Sequence, residues 1–403
     1  MHVCRNIGLF WLSALLVSTW GVTSFAKEDL RFENSRPLSH YQTDYDDGVQ
    51  WKWDGVNCKL TVGDLHGDFN ALAVILTDPR VGFVDNNGNW TGGKCHLVLL
   101  GDLLDGAPDA RMLLDLVLWL TPRAQAAGGH VHFLIGNHDV AAAIGDEEKL
   151  DEGEAELLTD QARRHHEHLK RLARELLTDP NSIYAQLFRS VNSIIMINHR
   201  FSTHAGLDRW LDTNDPGRIN TAVRAGIRSY QGLGPKLRKK LRWVLGIDGT
   251  GFDAGLGQIW HRGYSLSWKD KNKTEFADVR PEYGPKRSDL QHTMDLYGAE
   301  GVDTGHKPTP DKHIHLTDPY YGNLVAHYDS HISEALGGNV EAGLEKNGVR
   351  IPLAFERDHN PPLRRLFEVS PFKLHQPNGE NYLNPYELDV GKNCDLYLSE
   401  KER

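Results

Sequence analysis

The stretch KLTVGDLHGD (residues 59–68) joins a short apolar segment to a polar loop bounded by glycines. Residues 59–62 have the composition of a buried β-strand, and residues 69–76 have the apolar spacing of a helix that starts after the loop. Asp64 and His66 lie in the loop, two positions apart, so their side chains can converge on one metal ion. In an α/β sheet, binding sites form beyond the carboxyl ends of the strands, where this loop is predicted to lie.

Two further strand–loop–helix units follow along the chain. Residues 96–100 are a continuous apolar run that ends in GDLLDG, and residues 110–120 then have helical periodicity. Residues 130–135 form a third apolar run, which ends in GNHD. The alternation of apolar strands with helices predicts an α/β fold with helices covering the sheet. The three polar loops are therefore expected to meet at one edge.

The side chains expected at this edge are carboxylates, an amide and imidazoles. Two imidazoles come from distant segments: His204 follows a predicted strand over residues 194–197, and His306 follows Gly305. A set without thiolates suits Mn, Fe or Zn, and disfavours a Cys-rich structural zinc site. Two such ions are the usual device for displacing a phosphoryl group with water. The candidate ligands are Asp64, His66, Asp102, Asn137, His204 and His306.

Five motifs, in this order, resemble the calcineurin-like metallophosphoesterase superfamily in its phosphoprotein-phosphatase form. They are GDLHG (63–67), GDLLD (101–105), GNHD (136–139), HAG (204–206) and GH (305–306). Two shorter segments, WHRGY (260–264) and DS (329–330), are similar to those of the Shewanella-like phosphatases. The resemblance covers residues 59–335. It implies a sandwich of two central mixed β-sheets flanked by helices. Residues 207–300, which are mixed in composition and rich in Arg and Lys, are interpreted as a helical cap or accessory insertion.

The resemblance also implies a role for each candidate residue. Two divalent or trivalent metal ions (Mn, Fe or Zn) are expected, one held by Asp64, His66 and Asp102, and the other by Asp102, Asn137, His204 and His306. His138 is the expected general acid, which protonates the leaving oxygen, and Asp105 orients it. Arg262 is expected to bind the phosphate with its planar guanidinium, beside Asn137 and His138.

One position departs from the pattern of the family. The serine/threonine phosphatases usually have an arginine directly after the residue equivalent to Asp105, whereas this chain has Gly106. One phosphate contact of the family is therefore missing or comes from another residue. The metal site is unaffected, but the assignment of a protein substrate is left open.

Three functions are compatible with these motifs. The first, which we favour, is hydrolysis of phosphate monoesters by metal-activated water, with phosphotyrosine or phosphoserine proteins and peptides among the candidate substrates. The second is a hydrolase of the same fold that acts on nucleotides, dinucleoside polyphosphates or phosphodiesters, which Gly106 keeps open. The third is a non-catalytic protein that binds metal or phosphate. His138 and Asp105 argue against the third, because binding alone needs no proton donor.

The charge of the chain argues against one class of partner. The formal net charge is −10, opposite to the basic character that nucleic-acid binding requires. The expected partner is instead a phosphorylated substrate: a phosphoprotein, a phosphopeptide or a small phosphate ester. To bind such an anion, an acidic protein must hold its positive potential locally, on metal ions and a few arginines.

Residues 1–58 and 336–403 flank the predicted domain, and their sequences predict export and an extension that wraps the domain surface. Residues 1–26 have the order of a cleavable signal peptide, with Arg5, an apolar run over residues 7–22 and a small-residue cleavage site. Residues 27–58 are predicted to be an N-terminal arm, and residues 336–403 an extension that wraps the domain. A periplasmic or secreted location without a membrane anchor is therefore expected.

Three cysteines remain once the signal peptide is removed. They are Cys58, Cys95 and Cys394. An exported chain can form a disulfide, although an odd count leaves one thiol over. Because Cys58 and Cys95 each precede a predicted strand, a bond between them and a pair of buried free thiols are equally compatible with the sequence.

Overall fold

The computed structural model describes residues 48–145, 177–179, 182–207, 209–212, 215–230, 257–261, 264 and 284–368. The predicted signal peptide, most of the predicted arm, Arg262 and the chain after residue 368 lie outside these residues, as does much of the accessory region. No helix within the described ranges is long and apolar enough to cross a membrane.

Two five-stranded sheets form the centre of the protein. In chain order the strands are β1 (Lys52–Trp53), β2 (Cys58–Val62), β3 (His96–Leu99), β4 (His130–Phe133), β5 (Ile194–Ile197), β6 (Arg200–Thr203), β7 (Gly301–Thr304), β8 (Val325–His327), β9 (Glu341–Lys346) and β10 (Val349–Ala354). Sheet 1 has the order β10-β9-β2-β3-β4, and sheet 2 has the order β1-β5-β6-β7-β8. Strands β2, β3 and β4 run parallel, as the sequence predicts. Antiparallel pairs join β9 to β2 and β5 to β6, so both sheets are mixed.

Helices flank the two sheets. They are α1 (Phe69–Thr77), α2 (Ala110–Ala126), α3 (Asn137–Ala143), α4 (Ile183–Phe188), α5 (Pro216–Ser229), α6 (Arg287–Tyr297) and α7 (Arg364–Phe367). The first two helices begin at the predicted residues. At the N-cap of α1, the Asp68 carboxylate accepts a hydrogen bond from the Ala71 N–H. Asp109 occupies the N-cap position of α2 but makes no such hydrogen bond. The predicted fold class, two mixed sheets flanked by helices, is confirmed. Helices α5 and α6 are described parts of the predicted accessory region.

The sandwich has three apolar layers. One joins sheet 1 to α1, α2 and α3, and another joins sheet 2 to α6. The third lies between the sheets and contains Val98 and Leu134 from the side of sheet 1, together with Ile195 and Ala326 from sheet 2. Since all four side chains are buried, the two sheets are held face to face.

Polar contacts also connect the sheets. Lys59 of β2 pairs with Asp303 of β7 at 3.0 Å, and Arg200 of β6 donates to the same carboxylate at 2.5 Å. Although burial favours the neutral carboxyl, Arg200 and Lys59 lower the pKa of Asp303 to about 2. The charges are therefore kept together inside the sandwich.

An aromatic cluster lies at the end of the sandwich where β3 and β4 begin. Trp53 of sheet 2 contacts the rings of His96, His130 and His132 of sheet 1, and the centroid of the His132 ring is 4.4 Å from that of Trp53. The Nε2 of His132 and the Nδ1 of His96 are 2.9 Å apart and share a hydrogen bond. Burial lowers the pKa of His96 to about 4, so the pair is neutral near pH 7.

The hairpin of β9 and β10 extends sheet 1 beyond β2. Its turn is Asn347-Gly348, and both residues have positive φ, at +52° and +79°. This geometry is typical of a two-residue hairpin turn. Residues 341–354 were predicted to belong to an extension that wraps the domain, but their strands pair with β2 in the sheet. The other predicted domain boundaries stay predictions.

Three arginines fix residues 357–368 to sheet 1 and its helices. Arg111, fully buried in α2, pairs with Asp115 at 2.7 Å and donates to the carbonyl oxygens of Phe367 and Glu368. Arg364 pairs with the N-cap residue of α2, Asp109. Arg357 pairs with the N-cap residue of α1, Asp68, and donates to the Ile332 carbonyl oxygen.

Cys58 and Cys95 form a disulfide, which decides between the two alternatives that the sequence allows. The bond joins the first residue of β2 to the residue before β3. It therefore fixes the relative position of two strands whose far ends hold candidate site residues.

We expect that replacing both cysteines, Cys58→Ala with Cys95→Ala, lowers the free energy of unfolding. The bond closes a loop of 37 residues in the unfolded chain, for which loop-closure entropy gives a cost of roughly 3–4 kcal/mol. Urea unfolding of the oxidised protein and of the double variant measures the difference. Dithiothreitol should lower the wild-type midpoint and leave that of the double variant unchanged. A wild-type midpoint that does not change with dithiothreitol would contradict the Cys58–Cys95 disulfide.

Candidate active site

The candidate metal ligands come together at the edge where β2, β3, β6 and β7 end. The ligand atoms of Asp64, His66 and Asp102 lie within 4.8 Å of one another, and so do those of Asp102, His204 and His306. Asp102 belongs to both groups, as expected for a residue that bridges two metal ions. Asp64 and Asp102 are almost completely buried.

Two imidazoles are held with one nitrogen available for a metal ion. The Nδ1 of His66 lies 2.7 Å from the Asp105 carbonyl oxygen, and the Nδ1 of His204 lies 3.0 Å from the Leu100 carbonyl oxygen. A carbonyl oxygen only accepts, so Nδ1 is the donor in both rings, and Nε2 is the nitrogen that faces the other candidate ligands. This arrangement is the usual support for a histidine ligand.

Asn137 lies beside the same group. Its Oδ1 is 2.9 Å from the Nε2 of His204, and the Asp102 Oδ2 is 3.2 Å from that nitrogen. The amide oxygen, the carboxylate and the imidazole therefore point at one another. All six predicted ligands are brought to one place; their binding of metal stays a prediction.

The electrostatics of the two carboxylates fit a cation at this position. The Oδ2 of Asp64 accepts a hydrogen bond from the His306 N–H at 2.8 Å, whereas its Oδ1 is buried with no partner among the described residues. Burial, with the charges of Asp329 and Asp102, raises the pKa of Asp64 well above its ordinary value. For Asp102, burial acts in the same direction, but His204 and His138 outweigh it and hold the pKa well below the ordinary value. A bound cation would satisfy both carboxylates.

Backbone strain concentrates at this site. The φ angles of His66, Asp102, Asp105 and His306 are +42°, +48°, +66° and +66°. Residues other than glycine rarely adopt this left-handed region, and such outliers persist where the surrounding structure enforces them. The strained loops therefore aim these side chains inward.

Asp139 ties two of the loops together. Its carboxylate accepts hydrogen bonds from the Leu103 N–H at 3.0 Å and from the Gly136 N–H at 2.9 Å. Burial and the charge of Asp102 raise its pKa to about 6. A Cβ on Gly136 would lie 2.2 Å from the Asp102 Oδ1, which explains the glycine there. The GNHD motif contains Asp139, but the sequence did not show that it spans the two loops.

His138 and Asp105 form the predicted pair. The Nδ1 of His138 lies 2.5 Å from the Asp105 Oδ2, and both side chains are partly exposed. The His138 N–H donates to the Asp102 Oδ1 at 2.9 Å, which places the imidazole directly beside the ligand group. With Nδ1 occupied by Asp105, the Nε2 of His138 is the atom available to exchange a proton with a substrate.

Gly106 is required by its surroundings. A Cβ at this position would lie 2.8 Å from the His66 Cβ and 2.9 Å from the His66 carbonyl oxygen, and φ is +155°. An arginine here would displace a candidate metal ligand. A side chain at position 106 would therefore clash with His66 as the loop is placed here.

The segment that contains Arg262 borders the site. The ring centroids of Trp260 and His306 are 5.9 Å apart, and the Tyr264 hydroxyl accepts from the Leu207 N–H. Arg262 itself lies outside the described residues, so its contact with phosphate stays a prediction.

Comparison with known proteins agrees with this geometry. Residues 60–248 match the calcineurin-like phosphoesterase family. Shewanella-like protein phosphatase 1 of Plasmodium berghei (strain Anka) is 23% identical over 292 residues, which are 72% of this chain and 70% of the relative. Shewanella-like protein phosphatase 2 of Arabidopsis thaliana is 32% identical over 98 residues, and this match covers 24% of the chain and 25% of that relative.

A solved structure has the same fold. The cold-active protein-tyrosine phosphatase of a psychrophile, Shewanella sp., superimposes with a TM-score of 0.52 at 22% identity, over 76% of this chain and 82% of the other. The candidate metal ligands of this chain lie on loops from both of its sheets. Residues 60–248 are a calcineurin-like phosphoesterase domain, which supports a hydrolase of phosphate esters.

Proposed function

We propose that the enzyme hydrolyses phosphate monoesters, using two bound metal ions that are Mn, Fe or Zn. The observation that supports hydrolysis most directly is the His138–Asp105 pair, whose nitrogen and oxygen are 2.5 Å apart beside Asp102. A site that only bound metal or phosphate would not need an oriented proton donor. The donor set of carboxylates, amide and imidazoles suits these three metals.

The residues divide the work of the reaction among them. Metal ions held by the two ligand groups would polarise the phosphoryl group and lower the pKa of the attacking water. His138 protonates the leaving oxygen through Nε2, while Asp105 keeps its ring in place. Asp139 preserves the spacing of Asp102 and Asn137 through its hydrogen bonds to both loops.

Phosphotyrosine or phosphoserine in proteins and peptides is the substrate class that we favour. The support comes from similar proteins, which are named as Shewanella-like protein phosphatases and as a protein-tyrosine phosphatase. Gly106 favours a second candidate, a hydrolase of nucleotides, dinucleoside polyphosphates or phosphodiesters. A side chain at position 106 would clash with His66, so no arginine at this position binds a terminal phosphate.

We also propose that the protein is exported to the periplasm or secreted. Residues 1–26 have the pattern of a signal peptide. The Cys58–Cys95 disulfide supports this location, because such bonds persist in oxidising compartments and are rare in the cytosol.

Export predicts a new N-terminus. Protein recovered from the periplasm or medium of a producing bacterium should begin at Lys27. Edman sequencing of that protein checks the cleavage site, and a chain lacking residues 1–26 should remain in the cytosol. Recovery of the intact N-terminus in the membrane fraction would show an anchor instead.

Removal of metal should abolish turnover of p-nitrophenyl phosphate. Chelated protein is expected to be inactive and to regain activity with Mn, Fe or Zn, because the water and the phosphoryl group both depend on the ions. Elemental analysis of the wild type and of Asp102→Ala provides the control, since Asp102 belongs to both ligand groups. Metal-free protein that keeps full activity would refute the metal mechanism. Higher activity on bis-p-nitrophenyl phosphate would favour the diesterase alternative.

His138→Ala should lower kcat by about 10²–10⁴, the range for loss of a general acid. The loss should be greater for phenyl phosphate than for p-nitrophenyl phosphate, because the more basic phenolate needs the proton more. Metal content should be unchanged. Asp105→Asn should have a smaller effect of the same kind. An equal loss for both substrates would mean that His138 does not donate the proton.

A further inference from the structure

Residues 329–334 lie against the loop that contains His66. The Ser333 hydroxyl donates to the His66 carbonyl oxygen at 3.3 Å, and the Glu334 N–H donates to the Asp68 Oδ2 at 2.9 Å. Arg357 holds the same segment by donating to the Ile332 carbonyl oxygen. The segment is therefore fixed beside the active site, although the mechanism described above uses none of its side chains.

His331 shares the backbone strain of the site residues. The described residues other than glycine that have positive φ are His66, Asp102, Asp105, Asn198, His306, Lys312, His331 and Asn347. Four of these are predicted site residues, and asparagine tolerates the left-handed region. His331, with φ at +55°, is in the same left-handed region as these site residues. Strain of this kind clusters at functional sites.

The imidazole of His331 has an unmet hydrogen-bonding atom. Its Nδ1 is buried and has no partner among the described residues. The backbone N–H of His331 donates to the Asp329 Oδ1 at 2.9 Å. The backbone is therefore fixed by a hydrogen bond, whereas the ring Nδ1 has no hydrogen-bond partner among the described residues. A buried nitrogen without a partner is unfavourable, unless a ligand supplies the missing bond.

The surroundings of His331 suit an anion. Burial lowers its pKa; Asp329 opposes this shift, whereas Lys312, His66 and Lys307 act in the same direction as burial. These effects place two lysines and the candidate ligand His66 close to the ring. Lys312 is fixed by donating to the carbonyl oxygens of Leu336 and Gly337. Two lysines therefore lie near the ring, together with the Asp329 carboxylate, on a segment held in place.

We propose that His331 is a further substrate-binding residue, whose imidazole hydrogen-bonds the phosphoryl group in place of the arginine that Gly106 excludes. This inference rests on the proposed phosphatase function. His66 contacts both Gly106 and the segment that contains His331. A Cβ at position 106 would clash with His66, and the Ser333 hydroxyl donates a hydrogen bond to the His66 carbonyl oxygen. The contact missing at position 106 is thus supplied by a loop of sheet 2.

The test compares His331→Gly with the wild type, both loaded with metal. Glycine accepts the left-handed backbone, so the substitution removes the imidazole and relieves the strain. We expect the thermal midpoint to be unchanged or higher. The KM for p-nitrophenyl phosphate and the inhibition constant of inorganic phosphate should each rise about tenfold, as for a lost hydrogen bond to a charged group. The change in kcat should be smaller.

Two further variants serve as controls. His331→Asn keeps both the left-handed preference and an amide donor, so it should recover part of the phosphate affinity. His292→Ala removes an exposed histidine of α6 and should leave phosphate binding unchanged. The stabilisation of each protein by inorganic phosphate, measured as the shift of the thermal midpoint, reports binding without turnover.

The outcomes separate this inference from the proposed function. Wild-type protein that binds phosphate but hydrolyses no monoester would sink the phosphatase proposal alone, and the binding comparison would still decide the role of His331. Equal phosphate binding by the wild type and His331→Gly would overturn the inference. Loss of metal or of thermal stability in His331→Gly would also overturn it, because the residue would then be structural. Wild-type protein that does not bind inorganic phosphate would also overturn the inference about His331.

Discussion

The buried carboxylate of Asp102 is the contact on which the rest of the site depends. It stands at the end of a strand of sheet 1, yet it meets His204 of sheet 2 at 3.2 Å and accepts the His138 N–H at 2.9 Å. Neighbouring imidazoles keep it ionised despite burial. A buried charge is tolerated only while its partners stay in place. The distance between the two sheets must therefore be fixed to within hydrogen-bonding tolerance.

Different kinds of contact fix that distance at different depths of the sandwich. Apolar side chains such as Val98 and Ile195 fill its middle. The Asp303 carboxylate accepts hydrogen bonds from Lys59 of sheet 1 and Arg200 of sheet 2. At the end remote from the site, Trp53 packs on three histidine rings. Because all of these contacts join the two sheets, sliding one sheet over the other would disrupt all of them at once. The active-site loops can then hold strained backbone without losing their mutual position.

The sequence predicted the elements whose signals are local. Strands β2, β3 and β4 could be found because each is a short apolar run before a polar loop. The β9–β10 hairpin was not predicted, since β9 mixes Gly343 and glutamates with few apolar residues, although Asn347-Gly348 was an available turn signal. The disulfide, the bridging by Asp139 and the position of His331 arise from contacts between distant segments. No pattern along the chain contains such contacts.

The three arginine contacts of residues 357–368 bear on how the protein matures during its synthesis. Asp68, at the start of the helix that follows the first candidate metal-binding loop, takes its arginine partner from a segment 289 residues further along the chain. Strand β9, which also comes late, lies inside sheet 1 between β10 and β2. A nascent chain can form its early strand–loop–helix units, yet both the sheet and the loop remain incomplete until residues 341–357 have been made. The site is thus completed by segments far along the chain from the loops that form it, so a nascent chain that lacks residues 341–357 has no finished site.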